Sequence, residues 1–197
     1  MMKLLEKFGA VLTNGHFVYT SGKHGSAYIN KDALYPHTTV ISHLCRELAK
    51  KFSRSPVEVV VAPVVGGVIL SQWVAHHLSR MKKREVLGVY AEKSADGFIL
   101  KRGYDRLVSG KKVLVVEDIL NTGGSAKKVV ETVRSAGGVV IGVGALVNRG
   151  GVIAKDLGGV PKVFSLVELP LEAWEANECP LCVRQLPINT EVGKGKR

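Results

Sequence analysis

The chain has 197 residues, 46% of them hydrophobic and 23% charged, with 28 Lys and Arg against 17 Asp and Glu, a net charge of +11. That length suits one domain, or one with a small accessory element, and the composition excludes wholesale disorder. No apolar run approaches the roughly 18–20 residues of a membrane-spanning helix, and the charges inside Met1–Lys7 argue against a signal peptide, so a cytoplasmic location is expected.

In chain order, residues 2–12 read as an amphipathic helix that stops before Thr13-Asn14-Gly15. Short extended pieces at 17–20 and 27–30 flank Ser21-Gly22-Lys23-His24-Gly25. The spacing of Ile41, Leu44, Cys45, Leu48 and Phe52 predicts a helix over 38–52. A β-branched run, 57–62, has strand length and passes through Pro63-Val64-Val65-Gly66-Gly67 into a helix over 68–79. A strand at 85–90 precedes a long polar stretch, 91–110. The apolar strand 112–116 ends at Glu117-Asp118, and Asn121-Thr122-Gly123-Gly124-Ser125 opens a helix to about Ala136, closed by Gly137-Gly138. Strands at 139–147 and 162–167 complete the series. Strands apolar on both faces that alternate with helices predict an α/β fold, a parallel twisted sheet flanked by helices. Ligands of such sheets bind beyond the carboxyl ends of the strands.

Position tells more about the charge than its total does. Residues 80–112 hold ten basic and four acidic side chains, more than half of the excess. Only Tyr90, Phe98 and Tyr104 supply aromatic rings there, and no helix-turn-helix or RNA-binding signature is present. A phosphate-rich small ligand fits this window at least as well as nucleic acid. Among the cysteines, Cys45 reads as a buried hydrophobe on a helix. Cys179 and Cys182 form one C-x-x-C, and zinc would need a second ligand pair that the neighbouring sequence lacks, so a structural turn around Pro180 is expected. His76 and His77 lie on a predicted helix, packed or partly exposed.

The segment Val113 to Ser125 carries the chemistry. An apolar strand delivers two adjacent carboxylates to the sheet edge, and a Thr/Gly/Gly/Ser turn then opens a helix. Backbone N–H groups at such a helix start point at an anion, and the helix dipole favours negative charge there. A phosphate is expected at Asn121–Ser125, with the Thr122 and Ser125 hydroxyls as further donors. The acidic pair cannot bind phosphate and is suited to ligand hydroxyls or hydrated Mg²⁺. Phosphate at one end and hydroxyls at the other describe a ribose 5-phosphate. The P-loop and the G-x-G-x-x-G fingerprint both fail: Asp105 stands five residues before Gly110, and Val147 ends the series begun by Gly142-Val143-Gly144.

Val115 to Ser125 resembles the phosphoribosyl-pyrophosphate (PRPP) motif of type I phosphoribosyltransferases, and Ala62 to Gly67 resembles their pyrophosphate loop. The stretch from Gly15-His16-Phe17 through Ser21-Gly22-Lys23 to Tyr28-Ile29-Asn30 is similar to the orotate branch of that family, as is the Cys179-Pro180-Leu181-Cys182 tail to some of its members. The resemblance implies the type I phosphoribosyltransferase fold in one domain, with a core at about 38–150 and a hood from 1–37 and 151–197. It implies transfer of ribose 5-phosphate from PRPP to orotate, giving orotidine 5-phosphate and pyrophosphate in de novo pyrimidine (UMP) biosynthesis. Mg²⁺ would be the cofactor, held mainly by PRPP and water rather than by side chains.

By the same resemblance, Val65, Gly66 and Gly67 would meet pyrophosphate, Glu117 and Asp118 the ribose hydroxyls, and Thr122, Gly123, Gly124 and Ser125 the 5-phosphate, with Ile119, Leu120 and Asn121 completing the PRPP segment. Lys93 matches a catalytic loop lysine; Lys101 and Arg102 would replace a missing Lys-x-His portion, and Asp118 completes the catalytic set. Arg149, Tyr28, Ile29 and Asn121 would contact orotate. A homodimer is implied, with the loop 91–110 supplied to the neighbouring subunit. Asn121 stands at a base-contacting position where the family usually has Thr, so the base is left open between orotate and a purine or uracil; separately, Gly66 stands where the family's pyrophosphate loop has Lys. A PRPP-binding regulator without turnover is the remaining alternative.

Overall fold

Runs of Val with polar residues only at their ends cannot remain in water, and here they form the centre of a layered structure. The computed structural model describes residues 1–19 and 21–192; Thr20, expected in the extended piece 17–20, and the basic end 194–197 lie outside the described residues. In chain order the elements are α1 (Met2–Lys7), β1 (Val11–Leu12), β2 (Phe17–Val18), β3 (His24–Gly25), β4 (Tyr28–Ile29), α2 (Thr38–Phe52), β5 (Val59–Pro63), α3 (Gly66–Lys82), β6 (Leu87–Ser94), β7 (Gly97–Ile99), α4 (Tyr104–Val108), β8 (Lys112–Leu120), α5 (Gly124–Ser135), β9 (Val139–Asn148), β10 (Val163–Glu168) and α6 (Pro180–Val183). They fall into two compact units, residues 37–169 and residues 1–36 with 170–197.

The larger unit contains a six-stranded sheet of order β10-β9-β8-β5-β6-β7. All neighbours pair in parallel except β7, which turns back antiparallel on β6. Side chains alternate across each strand, so each Val run serves two cores. On one face Val59, Val61, Val113, Val115 and Val143 pack with Val129, Val130 and Val133 of α5, all fully shielded from solvent. Burying each such Val contributes roughly 1.5–3 kcal/mol. On the other face α2 and α3 cover the sheet, with Leu48 and Phe52 of α2 over Gly142 and Gly144.

The strand order reverses direction between β5 and β8, because β6 lies on one side of β5 and the later β8 on the other. Such a reversal opens a crevice at the carboxyl ends of the two strands. The segments that follow β5 and β8 are Val64–Gly67 and Asn121–Ser125, the two expected anion-binding turns.

Several predicted boundaries move. The helix expected over 2–12 ends at Lys7, since Gly9 takes φ +65°, and Val11–Leu12 becomes β1. The helix expected over 68–79 runs from Gly66 to Lys82. The polar stretch 91–110 is ordered: β6 extends to Ser94, turns at Ala95-Asp96 into β7, and α4 follows. The strand expected to end at Glu117-Asp118 continues to Leu120. Residues 151–169, expected in the hood, belong to the larger unit because β10 is hydrogen-bonded along β9.

In the smaller unit β1 pairs antiparallel with β4, and β2 with β3. The Tyr19 hydroxyl donates to the Ala27 carbonyl at 2.7 Å, and His24 and Trp174 exchange backbone hydrogen bonds at 2.8 and 2.9 Å. Pro180 opens the short turn expected between Cys179 and Cys182, and the fold also brings His16 and His24 to the two cysteines. The two histidines are 155 to 166 residues away from the cysteines in sequence, beyond the reach of a spacing rule.

Candidate active site

The phosphate turn is built by the passage from β8 to α5. Gly123 caps α5 with φ +75°, and a Cβ there would also lie 3.0 Å from Val152 and Leu157. The turn thus needs glycine twice over, for its left-handed backbone and for its close packing. Asn121, Thr122, Gly124 and Ser125 are exposed at the start of this 12-residue helix, and the Gly124 N–H donates to Thr122 Oγ1 at 3.4 Å. A cavity of about 70 Å³ is bounded by Glu117, Leu120 and the turn.

Glu117 and Asp118 are 7% and 5% exposed at the end of β8. The Asp118 N–H donates to Glu117 Oε1 at 3.1 Å, and the Ile119 N–H to Asp118 Oδ1 at 2.8 Å, which orients both carboxylates. Because the strand continues through them, the two side chains start from opposite faces of the sheet. Glu117 is in the wall of the small cavity. Ile119 and Leu120 complete that wall rather than presenting side-chain polar groups.

A second cavity, about 420 Å³, joins the turn to the β6–β7 hairpin, with Lys93, Phe98, Thr122, Ser125 and Lys128 in its wall. The hairpin is held there by the Thr132 hydroxyl of α5, which donates to the Phe98 carbonyl at 3.1 Å. Lys128 was not anticipated. Its signal was the three-residue spacing from Ser125, which places both on one side of the first turn of α5. Lys101 and Arg102 are placed differently: both pair with Glu92, at 3.5 and 3.0 Å. The Glu92 hydrogen bond is the main reason that the Arg102 guanidinium is held above its ordinary pKa.

The pyrophosphate loop follows β5. The Val64–Val65 peptide is cis, the Val65 side chain is exposed, and Gly66 and Gly67 form the first turn of the 17-residue α3. Two helix N-termini therefore meet the ends of adjacent strands, each with the partial positive charge that attracts phosphate oxygens.

Arg149 follows β9 and is half-buried. Its N–H and that of Gly150 both donate to the Leu120 carbonyl, at 2.8 and 3.2 Å. A Cβ on Gly150 would stand 1.5 Å from the Asn121 carbonyl oxygen. Asn148, 4% exposed, exchanges two 3.0 Å hydrogen bonds between its side-chain amide and the Val152 backbone. The Arg149 and Gly150 N–H groups thus fasten the loop to the end of β8, beside the phosphate turn, and Asn148 braces the loop from within. Tyr28 and Ile29 lie on β4 of the smaller unit, Tyr28 half-buried with its ring 5.8 Å from that of Phe17, and Ile29 buried.

Residues 32–180 match the phosphoribosyl transferase domain family. The chain belongs to the phosphoribosyltransferase family. It is 38% identical over 188 residues to an orotate phosphoribosyltransferase of Caldanaerobacter subterraneus subsp. tengcongensis, covering 95% of this chain and 93% of that one. It is 37% identical over 193 residues to the orotate phosphoribosyltransferase of Thermotoga maritima, covering 98% and 97%. A crystal structure of Mycobacterium tuberculosis orotate phosphoribosyltransferase in complex with Fe(III) dicitrate superposes with a TM-score of 0.67 at 26% identity, covering 85% of this chain and 95% of that one.

Proposed function

We propose that this chain is an orotate phosphoribosyltransferase, which moves ribose 5-phosphate from PRPP to a ring nitrogen of orotate and releases pyrophosphate, a step of pyrimidine biosynthesis. The observation that carries the reading is the alignment of a buried carboxylate pair, an exposed helix N-terminus and an arginine at neighbouring strand ends of one sheet. The N-terminus of α5 and the Thr122 and Ser125 hydroxyls receive the 5-phosphate. Glu117 and Asp118 accept hydrogen bonds from the ribose hydroxyls, and the backbone at Val65, Gly66 and Gly67 receives the pyrophosphate. As the glycosidic bond breaks, positive charge grows on the sugar and negative charge on the leaving pyrophosphate. The carboxylates stabilise the first, and Lys93, with Lys128 beside it, stabilises the second. Lys101 and Arg102 join them on leaving Glu92.

The donor set suits Mg²⁺, a hard cation that takes oxygen ligands and retains water. Bound, it would neutralise pyrophosphate charge; Glu117 and Asp118 would hold its water rather than the ion itself. Arg149 offers a planar fork to the orotate carboxylate. Asn121 can both donate and accept at a ring edge, which suits a base contact; for Tyr28 and Ile29 a base contact is what the family resemblance implies. A cytoplasmic setting fits three free cysteines.

A panel of orotate, uracil and purine bases with PRPP and Mg²⁺, followed by pyrophosphate release, tests the reading. Turnover with orotate supports it; turnover with none of the bases overturns it, and turnover with another base alone overturns the substrate. Arg149→Ala is expected to raise the KM for orotate about 10–100-fold, the loss of a charged hydrogen bond of about 1.5–3 kcal/mol, with the KM for PRPP little changed.

We also propose a homodimer. The family resemblance has segment 91–110 serve the neighbouring subunit, whereas the cavity shared by Lys93 and Ser125 supports service within one chain. Mixing Lys93→Ala with Asp118→Asn subunits separates the two. Service in trans should restore about a quarter of wild-type activity, since half of a statistical mixture is hybrid and each hybrid has one intact site. Service within the chain should restore none.

A further inference from the structure

We propose that His16, His24, Cys179 and Cys182 form a structural zinc site in the smaller unit, separate from the phosphoribosyl-transfer chemistry. The four ligand atoms lie within 4.8 Å of one another, and His16, His24 and Cys179 are buried. Cys182 Sγ is 3.3 Å from His24 Nδ1 and 3.7 Å from His16 Nε2; Cys179 Sγ is 3.8 Å from His16 Nε2. A tetrahedral Zn²⁺ with N ligands at about 2.05 Å and S ligands at about 2.3 Å sets N···S at about 3.6 Å. The three observed separations bracket that value. The two ring nitrogens, His16 Nε2 and His24 Nδ1, are 2.7 Å apart. Tetrahedral geometry places such a pair about 3.3 Å apart, so metal entry requires the rings to separate by roughly 0.6 Å.

The surrounding bonds point the same way. His16 Nδ1 lies 2.8 Å from the Leu186 carbonyl, a partner for Nδ1–H that leaves the Nε2 lone pair facing the cluster. Orientation of a ligating imidazole by a carbonyl on its other nitrogen is the common arrangement at zinc. The backbone of His24 is fixed by Trp174, and the His16 carbonyl accepts from the Asn189 N–H at 2.7 Å. Cys179 is the residue before α6 and Cys182 lies on its first turn, with Pro180 between them, so one short turn presents both sulfurs.

A metal here has a clear structural purpose. The smaller unit consists of two short segments, 1–36 and 170–197, from opposite ends of the chain. Its strands are two residues long. A unit this small rarely buries enough apolar surface to hold itself together, and a structural metal is one of the usual remedies. On binding, each thiol gives its proton to solvent as its Zn–S bond forms, and the neutral imidazoles supply the two remaining bonds. The ligand set is closed, with no open position for substrate, as structural zinc sites are.

The test is metal content and Co²⁺ spectroscopy on the full chain, purified under reducing conditions. The expected result is one equivalent of Zn²⁺ per chain. After chelation and Co²⁺ addition, the thiolate-to-cobalt and tetrahedral d–d bands should saturate at one equivalent. Cys179→Ser/Cys182→Ser should lose the bands and the bound zinc, whereas His76→Asn/His77→Asn, on α3, should keep both. Chelation should lower the melting temperature without changing the protein's mass. Less than about a tenth of an equivalent of zinc, together with no tetrahedral cobalt spectrum in the reduced wild-type chain, would overturn the site; this readout does not depend on any variant folding. Metal retained by the double Cys variant, or lost in the His76/His77 variant, would overturn it too. These readouts follow the metal, so they stand or fall independently of PRPP turnover.

Discussion

Asp118→Asn is expected to lower kcat/KM for PRPP by about 10²–10³-fold while leaving the melting temperature nearly unchanged. The substitution keeps an oxygen that accepts the Ile119 N–H, now 2.8 Å from Oδ1, so the strand end keeps its local geometry. What disappears, on the proposed function, is the negative charge beside a sugar that becomes cationic as its bond to pyrophosphate breaks. In a buried setting such a charge is worth far more than in water. Steady-state kinetics with varied PRPP, alongside thermal unfolding, checks the expectation. A loss below about threefold would remove Asp118 from the reaction and leave Glu117, in the wall of the phosphate cavity, as the carboxylate that matters.

Gly150→Ala is expected to be the most damaging single methyl group in the larger unit. The new Cβ would lie 1.5 Å from the Asn121 carbonyl oxygen, a backbone atom with no rotamer to escape into. Relief requires the loop and the phosphate turn to part, which breaks the two hydrogen bonds to the Leu120 carbonyl. At about 1–3 kcal/mol for each buried polar group left unmet, plus repacking, the cost is about 3–5 kcal/mol. For a chain of this length that is a fall in melting temperature of about 6–20 °C. Gly151→Ala is the control: its φ of +64° makes alanine strained by about 1–2 kcal/mol, but a Cβ there meets nothing within 4 Å. Thermal unfolding and PRPP binding should both separate the pair, with Gly151→Ala losing a little stability and no affinity.

The sheet and the phosphate turn were legible in the sequence because their physics is local. Val57 to Ala62 and Lys112 to Val116 are apolar on both faces, and Thr122 to Ser125 combines glycines with hydroxyls where a helix starts. Segment 91–110 has the composition of one long loop because its charges mask a hairpin and a short helix. Gly97 was the available signal: it follows the Ala95-Asp96 turn at φ +144°, a backbone that favours glycine. The strand through Glu117 and Asp118 was cut short for a related reason, as buried carboxylates rarely sit inside parallel strands. Contacts between remote segments left no mark at all. Gly150 is required by Asn121, and His16 and His24 meet Cys179 and Cys182 only once the chain is folded.

α3 and α5 lie on opposite faces of the sheet, so in the proposed reaction the pyrophosphate and the ribose phosphate would be gripped from different layers. Intact PRPP is then a bivalent ligand whose sugar is the linker, and each grip raises the effective concentration of the other group at its own cradle. Breaking the glycosidic bond cuts that linker. Two tethered halves become two monovalent products, each held by one cradle alone, and the reaction itself dissolves the avidity that captured the substrate.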